Sequence, residues 1–240
     1  MDNYKRIGII TAFAISMAFL ESAVVIYLRE IYYPEGFVFP LKQISSKIAI
    51  IEIMREAYTV VMLVAVAFIT GKHKMNRFAV FIYCFGIWDI FYYVFLKFTI
   101  NWPESFLTWD ILFLIPTTWT APVIAPIIIS ITMIILAIII FYKNITYKII
   151  SFSSNEFIML IIGAIILVIS FIWDYSHFVY HYFSFSEIFK NINNPELSEV
   201  IYNYIPQKFN WLYFWIGEGI ILIAILLYTI KKSDNILLKD

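Results

Sequence analysis

The sequence predicts an all-α, polytopic integral membrane protein, and three features of the chain lead to this prediction. Hydrophobic residues make up 62% of the 240 positions, whereas charged residues make up 14%. Soluble domains usually contain about 25% charged residues, so this chain has too few polar side chains to cover a water-facing surface. The apolar residues are also grouped into long stretches, and the segments between them carry most of the charge.

Six apolar stretches are long enough to cross a bilayer as helices. An α-helix rises 1.5 Å per residue, so about 20 residues span the hydrocarbon layer. The first stretch follows Lys5 and Arg6, but it is longer than the apolar region of a signal peptide, which favours a retained helix. Within a single domain 1–240, the predicted spans are about residues 8–28, 48–70, 78–99, 122–142, 157–178 and 209–230.

Two further segments are expected at the membrane surface. Residues 103–121 are interrupted by Pro103 and Pro116 and are too short to span, so they predict a re-entrant or interfacial segment. Residues 179–208 are expected to form an outer cap, and Pro195 marks a helix start within it.

Basic residues predict the orientation of the helices. The termini and loops on one side of the predicted membrane carry ten Lys and Arg residues, and the opposite loops carry six. Because cytoplasmic loops are enriched in Lys and Arg, we expect both termini to lie in the cytoplasm and the protein to be a multi-pass protein of the cell membrane.

Composition and motifs exclude several classes of protein. Seventeen basic residues balance 17 acidic ones, which disfavours a nucleic-acid binder, and the lone Cys84 excludes a disulfide scaffold. No Walker or dinucleotide glycine motif is present, so no nucleotide cofactor is expected. Histidines fall on one predicted span only and no span contains a central Lys, which excludes a bis-His haem and retinal. The oligomeric state is not predicted.

Ionisable residues inside the spans are the main functional candidates, because a charge at the bilayer centre costs at least about 2.5–3.5 kcal/mol. All of them fall between the predicted midplane and the outer end of their spans. We therefore expect one polar pocket open to the extracytoplasmic side, with an apolar cytoplasmic half. The residues are Glu21, Glu52, Arg55, Glu56, Asp89, Asp174 and Glu218.

The second span has the sharpest pattern, with Glu52, Arg55 and Glu56 on one helix face. Arg55 is suited to hold an anionic ligand group or a carboxylate of another helix, since its guanidinium can bind either with two hydrogen bonds. The alternative is an internal ion pair that fixes helix packing. A single Arg cannot neutralise six acids, so the others must be protonated, hydrated, or balanced by a metal or cationic ligand.

The fifth span places Asp174, His177 and His181 on one face near its outer end, a spacing that could hold a divalent metal. The alternative is a pair of interfacial histidines. His177 and His181 are similar to the late-helix His-x3-His motif of ceramidase-like seven-helix membrane hydrolases, a resemblance that implies zinc. That family has a further His on an early helix, and no early span here contains one, so the resemblance is limited to these two residues.

Roles follow from residue chemistry. Asp89 has phenol neighbours one turn away, and Asp110 is expected to dip toward the pocket from segment 103–121. We predict acid, base or metal-ligand roles for the carboxylates, with Glu52, Glu56, Asp89 and Asp174 as the catalytic candidates. The residues predicted to bind the ligand are Arg55, Glu21, Tyr92, Asp110 and Glu218.

Three functions compete. The pocket belongs to an enzyme or binding protein for a lipid-like or small anionic ligand, to an ion- or proton-coupled transporter or channel, or to a non-catalytic assembly subunit. A transport path needs polar groups through the whole bilayer, so the apolar cytoplasmic half favours the first function.

Overall fold

Residues 3–146, 150–184, 187 and 195–231 are described by the computed structural model of this protein. Six of the helices in this part of the chain, α1 to α5 and α7, are long and apolar enough to cross a membrane, which confirms the six predicted apolar helices. The elements are α1 (Asn3–Tyr32), α2 (Ser46–Thr70), α3 (Lys74–Ile100), β1 (Trp109–Phe113), β2 (Trp119–Pro122), α4 (Ile124–Thr146), α5 (Ser154–Tyr182), α6 (Pro195–Tyr202) and α7 (Trp211–Ile230).

Short polar side chains set the first turns of three of these helices. The Ser45 hydroxyl accepts a hydrogen bond from the Ile48 amide before α2, and the Asn210 side chain accepts one from the Tyr213 amide in α7. Before α5, Ser153 and Glu156 each bond to the other's backbone amide, forming a capping box. These bonds satisfy amides that have no partner within the helix, so the helices begin where the polar residues stand.

The helices form two groups. Helix α3 lies at the centre of the first group and packs against α1, α2 and α4, whereas α5 packs along α7. In the second group, a Cβ on Gly163 would lie 2.8 Å from the carbonyl oxygen of Gly217, so only glycine allows the two backbones to come this close. The two groups meet through β2 against α5 and through weaker contacts between α4 and α7.

The segment after α3 corrects the all-α prediction. Instead of an irregular re-entrant segment, residues 103–121 include β1, which pairs antiparallel with β2, Asp110 lying opposite Ala121 and Ile111 opposite Thr120. The strands pair the backbone groups that face each other, so part of the backbone of this segment is satisfied within the hairpin. Pro116 lies in the connecting turn, where its lack of an amide hydrogen costs nothing.

Part of the predicted outer cap is described. Helix α6 begins at Pro195, as predicted. Residues 185–186 and 188–194 of the cap lie outside the described residues.

Candidate functional site

An ion-pair cluster joins α1 to α2. Nε of Arg55 donates to Oε2 of Glu52 at 2.9 Å, and Nη1 of Arg55 donates to Oε2 of Glu21. Glu52 lies three residues before Arg55, so both side chains leave the same face of α2. The guanidinium therefore bridges two carboxylates from two helices, a geometry that fits both the predicted counter-ion role of Arg55 and the alternative of an ion pair that fixes helix packing.

Glu56 connects the same face of α2 to the hairpin. Its Oε2 accepts a hydrogen bond of 2.9 Å from the amide of Leu114, the residue after β1. The carboxylate thus satisfies a backbone donor that the strand pairing leaves free. Helix α2 and the hairpin consequently face each other across one polar surface.

A second buried ion pair, between Arg29 and Asp110, was not predicted. Nη2 of Arg29 lies 3.1 Å from Oδ1 of Asp110, and the two side chains are 9% and 2% exposed. The guanidinium carbon of Arg29 also lies 3.7 Å from the ring centroid of Trp102 and 4.5 Å from that of Phe37. Among the described residues, Nη1 of Arg29 has no hydrogen-bond partner.

The surroundings of Asp110 oppose its ionisation. Burial raises the pKa of Asp110 to about 6, and the positive charge of Arg29, with help from the Ile111 amide and the Tyr93 hydroxyl, limits the rise. Asp110 can therefore change its protonation state within the physiological range, although it lies on a strand rather than in an apolar helix.

Asp89 lies on α3 beside this cluster. Its Oδ2 accepts a hydrogen bond of 2.6 Å from the Ser130 hydroxyl of α4. Tyr92 and Tyr93 lie one turn further along α3, and their ring centroids are 4.9 Å apart. The expected phenol neighbours of Asp89 are thus on the same helix and close to the cluster.

These side chains surround two adjoining cavities. The inner cavity, of about 60 Å³, is lined by Glu21, Asp89 and the hairpin residues Leu112 and Phe113. The outer cavity, of about 190 Å³, is lined by Glu52 and by both partners of the second ion pair. Both cavities are also lined by Arg55, Glu56 and Tyr92, so these three residues lie where the two meet.

The acids of the inner cavity share a common depth. Glu21 and Asp89 each stand eleven residues before the ends of α1 and α3, which places them about 16 Å from those ends. Glu56 stands ten residues after the start of α2, or about 15 Å along it. Three helices therefore bring their acids to similar distances from the helix ends that the hairpin and the connection between α1 and α2 join.

The connection between α1 and α2 covers the outer cavity. Its residues Tyr33, Leu41 and Lys42 line the cavity, and the Tyr33 hydroxyl accepts a hydrogen bond of 2.7 Å from the Lys42 amide. Tyr202 of α6 donates to the Ile44 carbonyl at 3.3 Å, which ties this connection to the cap. This connection therefore covers the outer cavity at the end of α1 and the start of α2.

The other predicted site residues lie elsewhere. Asp174 accepts hydrogen bonds from the Tyr204 hydroxyl at 2.8 Å and from the amides of Gln207 and Lys208 at 3.0 and 3.2 Å, so it holds the segment before α7. Glu218 accepts a hydrogen bond from Thr132 and lines a separate cavity. The expectation that all the acids share one pocket is wrong for these two, because α5 and α7 belong to the second helix group.

The metal prediction gains no support from the geometry. His177 and His181 are both exposed, and within the described ranges no three His, Cys, Asp or Glu side chains are close enough to hold a metal ion. A divalent metal on Asp174, His177 and His181 stays a prediction. Metal analysis of the purified protein, with and without His177→Ala, tests it.

Sequence reasoning counted Arg29 as a charge of the outer loop, because the predicted first span ended at residue 28, whereas α1 continues to Tyr32. One signal could have placed it in the pocket: Arg29 lies eight residues after Glu21, about 80° away around the helix axis, and therefore on the same side of α1. The pocket thus contains two guanidinium groups rather than one. In the comparisons with known proteins, no family model, curated protein or solved structure matches this chain.

Proposed function

We propose that this chain is a multi-pass protein of the cell membrane whose two adjoining cavities form one pocket open to the extracytoplasmic side. The ten-to-six distribution of basic residues supports this orientation, with both termini in the cytoplasm. The hairpin and the connection between α1 and α2 then lie at the outer surface, where they roof the pocket.

The ligand we propose carries a small anionic group on a lipid-like or other small apolar body. Arg29 and Lys42 are two cationic residues that line the outer cavity. Arg29 is buried and its Nη1 has no hydrogen-bond partner among the described residues, and Lys42 is exposed with no carboxylate of those residues within ion-pair distance. The carboxylates of Glu52 and Asp110 are already held by Arg55 and Arg29. A volume of about 190 Å³ suits a headgroup rather than a whole lipid.

The carboxylates beside this cavity could act as acids or bases on the bound group. The inner cavity has room for about two water molecules, and Glu56 and Asp89 both line it. The observation that carries the proposal is the convergence of α1, α2, α3 and the hairpin on one pair of cavities. Acid–base chemistry on the bound ligand is the enzymatic form of the proposal, and binding alone is its simpler form.

One observation favours a second function. The inner cavity is lined by three carboxylic acids, Glu21, Glu56 and Asp89, but by one guanidinium, that of Arg55. Excess acid would bind a cation or hold a proton, as an ion- or proton-coupled transporter requires. An assembly subunit whose buried charges meet a partner chain is the remaining alternative.

Ligand charge separates these functions. The protein, purified and reconstituted in discs of zwitterionic lipid, is titrated calorimetrically with hexyl phosphate and with hexyltrimethylammonium, two probes of equal chain length and opposite charge. We expect hexyl phosphate to bind and Lys42→Ala to weaken its binding about tenfold, which corresponds to about 1.4 kcal/mol. Lys47→Ala is the matched control, since Lys47 is exposed on the same side but does not line the cavity.

The outcomes are distinct. Equal effects of the two lysine variants would contradict the proposed anion site. Binding of the ammonium probe alone, lost in Glu56→Gln, would favour the cation or proton function. If neither probe binds, a small-ligand pocket is excluded and the assembly subunit becomes the better interpretation.

A further inference from the structure

A third and larger cavity lies in the seam between the two helix groups. Its volume is about 750 Å³, within the range of small-molecule sites in proteins. Helices α3 and α4 line one side of it, and α5 and α7 line the other. It shares no lining residue with the two cavities of the proposed pocket, so it constitutes a separate site.

The two ends of this cavity differ in chemistry. Lys74, Ser151 and Ser154 line one end, at the start of α3 and α5, where most of the basic residues lie. Phe85 and Phe171 line the opposite end, deep in the bundle, and the walls between the ends are almost entirely aliphatic and aromatic. A long apolar molecule therefore fits the walls.

The deep end holds one polar side chain whose hydrogen bonding is incomplete. Glu218 is 1% exposed, and one of its carboxyl oxygens accepts a hydrogen bond from the Thr132 hydroxyl, which also lines the cavity. The other oxygen, Oε2, has no partner within the part of the chain that the structure describes. Buried polar groups are nearly always hydrogen-bonded, so this oxygen calls for a partner.

A hydroxyl group is the partner that suits both protonation states of Glu218. If the carboxyl is ionised, Oε2 needs a donor; if Oε2 carries the proton, it needs an acceptor. A hydroxyl can serve as either, whereas an ether can only accept and an alkane can do neither. A charged headgroup would have to be desolvated among apolar walls, which is costly.

From these observations we propose that the seam cavity binds a long-chain alcohol, whose hydroxyl bonds to Glu218 and whose chain runs along the apolar walls toward Lys74. The site is thus a lipid-alcohol site reached from within the bilayer, and it does not depend on the proposed function of the outer pocket.

Photolabelling with a 16-carbon primary alcohol that carries a diazirine in mid-chain tests this proposal. The full chain is reconstituted in discs of zwitterionic lipid, labelled, and mapped by peptide mass spectrometry. The competitors are 1-hexadecanol and heptadecane, which have the same number of non-hydrogen atoms. We expect labels on residues lining the seam and at least a tenfold stronger competition by the alcohol than by the alkane, which can neither donate nor accept a hydrogen bond.

Three variants sharpen the test. In Glu218→Leu the preference for the alcohol over the alkane should fall to a few-fold, because the unpartnered Oε2 is gone and the Thr132 hydroxyl is left at this end of the cavity. Ala164→Phe, which places a ring in the cavity, should abolish seam labelling by filling it. Ile165→Phe is the matched control, since Ile165 is 53% exposed on the same helix but does not line the cavity, and it should label normally.

The proposal is overturned if the alcohol and the alkane compete equally in the wild type, which would mean that the seam takes any apolar chain and selects no hydroxyl. It is also overturned if labels spread over the lipid-facing surface or if Ala164→Phe labels like Ile165→Phe. Should Glu218→Leu fail to fold, the wild-type competition ratio and the Ala164→Phe and Ile165→Phe pair still decide the question.

Discussion

Replacing Arg29 by Ala should destabilise the protein more than replacing Arg77 by Ala. Among the described residues, Arg29 is the one positive charge paired with Asp110, whose side chain is 2% exposed, so the substitution leaves that carboxylate buried without this counter-ion. Breaking a buried ion pair by removing one partner typically costs about 3–5 kcal/mol. The lost contact with the Trp102 ring, at 3.7 Å, places the expected cost in the upper half of this range.

Arg77 provides the matched control for this prediction. Its Nε donates to the Gly71 carbonyl at 3.0 Å and its guanidinium carbon lies 4.5 Å from the Phe68 ring centroid, but it has no carboxylate partner among the described residues. Arg77→Ala therefore loses one hydrogen bond and one ring contact without stranding a buried charge. We expect it to cost about 1–2 kcal/mol.

The assay is unfolding of the purified protein in mixed micelles by increasing amounts of sodium dodecyl sulfate, followed by tryptophan fluorescence at pH 8. In the double variant Arg29→Ala/Asp110→Asn, the loss should be smaller than the sum of the two single losses by about 1–3 kcal/mol, because the stranded carboxylate is gone. The reasoning is refuted if the stability loss of the double variant equals the sum of the two single losses. It is also refuted if Arg29→Ala loses no more stability than Arg77→Ala.

Three further predictions concern other sites. The pKa of Asp110 is raised from 3.8 to about 6, so protonation of this group stabilises the folded protein fully below about pH 4, and about 3 kcal/mol of this stability is lost as the pH rises through 6. Asp110→Asn should remove this part of the pH dependence of the free energy of unfolding. An unchanged pH profile in the variant would contradict the prediction. Gly217→Ala should cost about 1–3 kcal/mol in the same assay, because a Cβ there would lie 2.9 Å from the Gly163 carbonyl oxygen, whereas Gly219→Ala, which meets nothing within 4 Å, should cost nothing. Asp174→Ala should speed hydrogen exchange in residues 204–208, where it removes three hydrogen bonds, and equal exchange rates would show that it does not hold this segment.

The sequence predicted the helices because each one carries its own signal. An apolar stretch of about 20 residues predicts a spanning helix wherever it lies in the chain, and Pro195, predicted at a helix start, is the first residue of α6. The hairpin was missed because pairing between β1 and β2 is not a property of either strand alone. Prolines correctly excluded a regular helix there, but they did not reveal the strand partner.

The candidate site could be predicted in part, for a related reason. Depth along a helix can be counted from the sequence, so Glu21, Glu56 and Asp89 were expected at a common level, and they lie there. The direction in which each helix face points depends on packing against other helices. The separation of Asp174 and Glu218 from the other acids was therefore not predictable from their depth.

By itself, the sequence determined that six helices are apolar enough to span a membrane, and it gave the position of each charged residue along them. Both are local properties, set by side-chain hydropathy and the 1.5 Å rise of a helix. Only the tertiary structure decided that Arg29 meets Asp110, that the acids divide between two helix groups, and that an apolar cavity ends at Glu218. These outcomes depend on helix rotation and on contacts between residues far apart in the chain, which a single sequence does not encode in any local pattern.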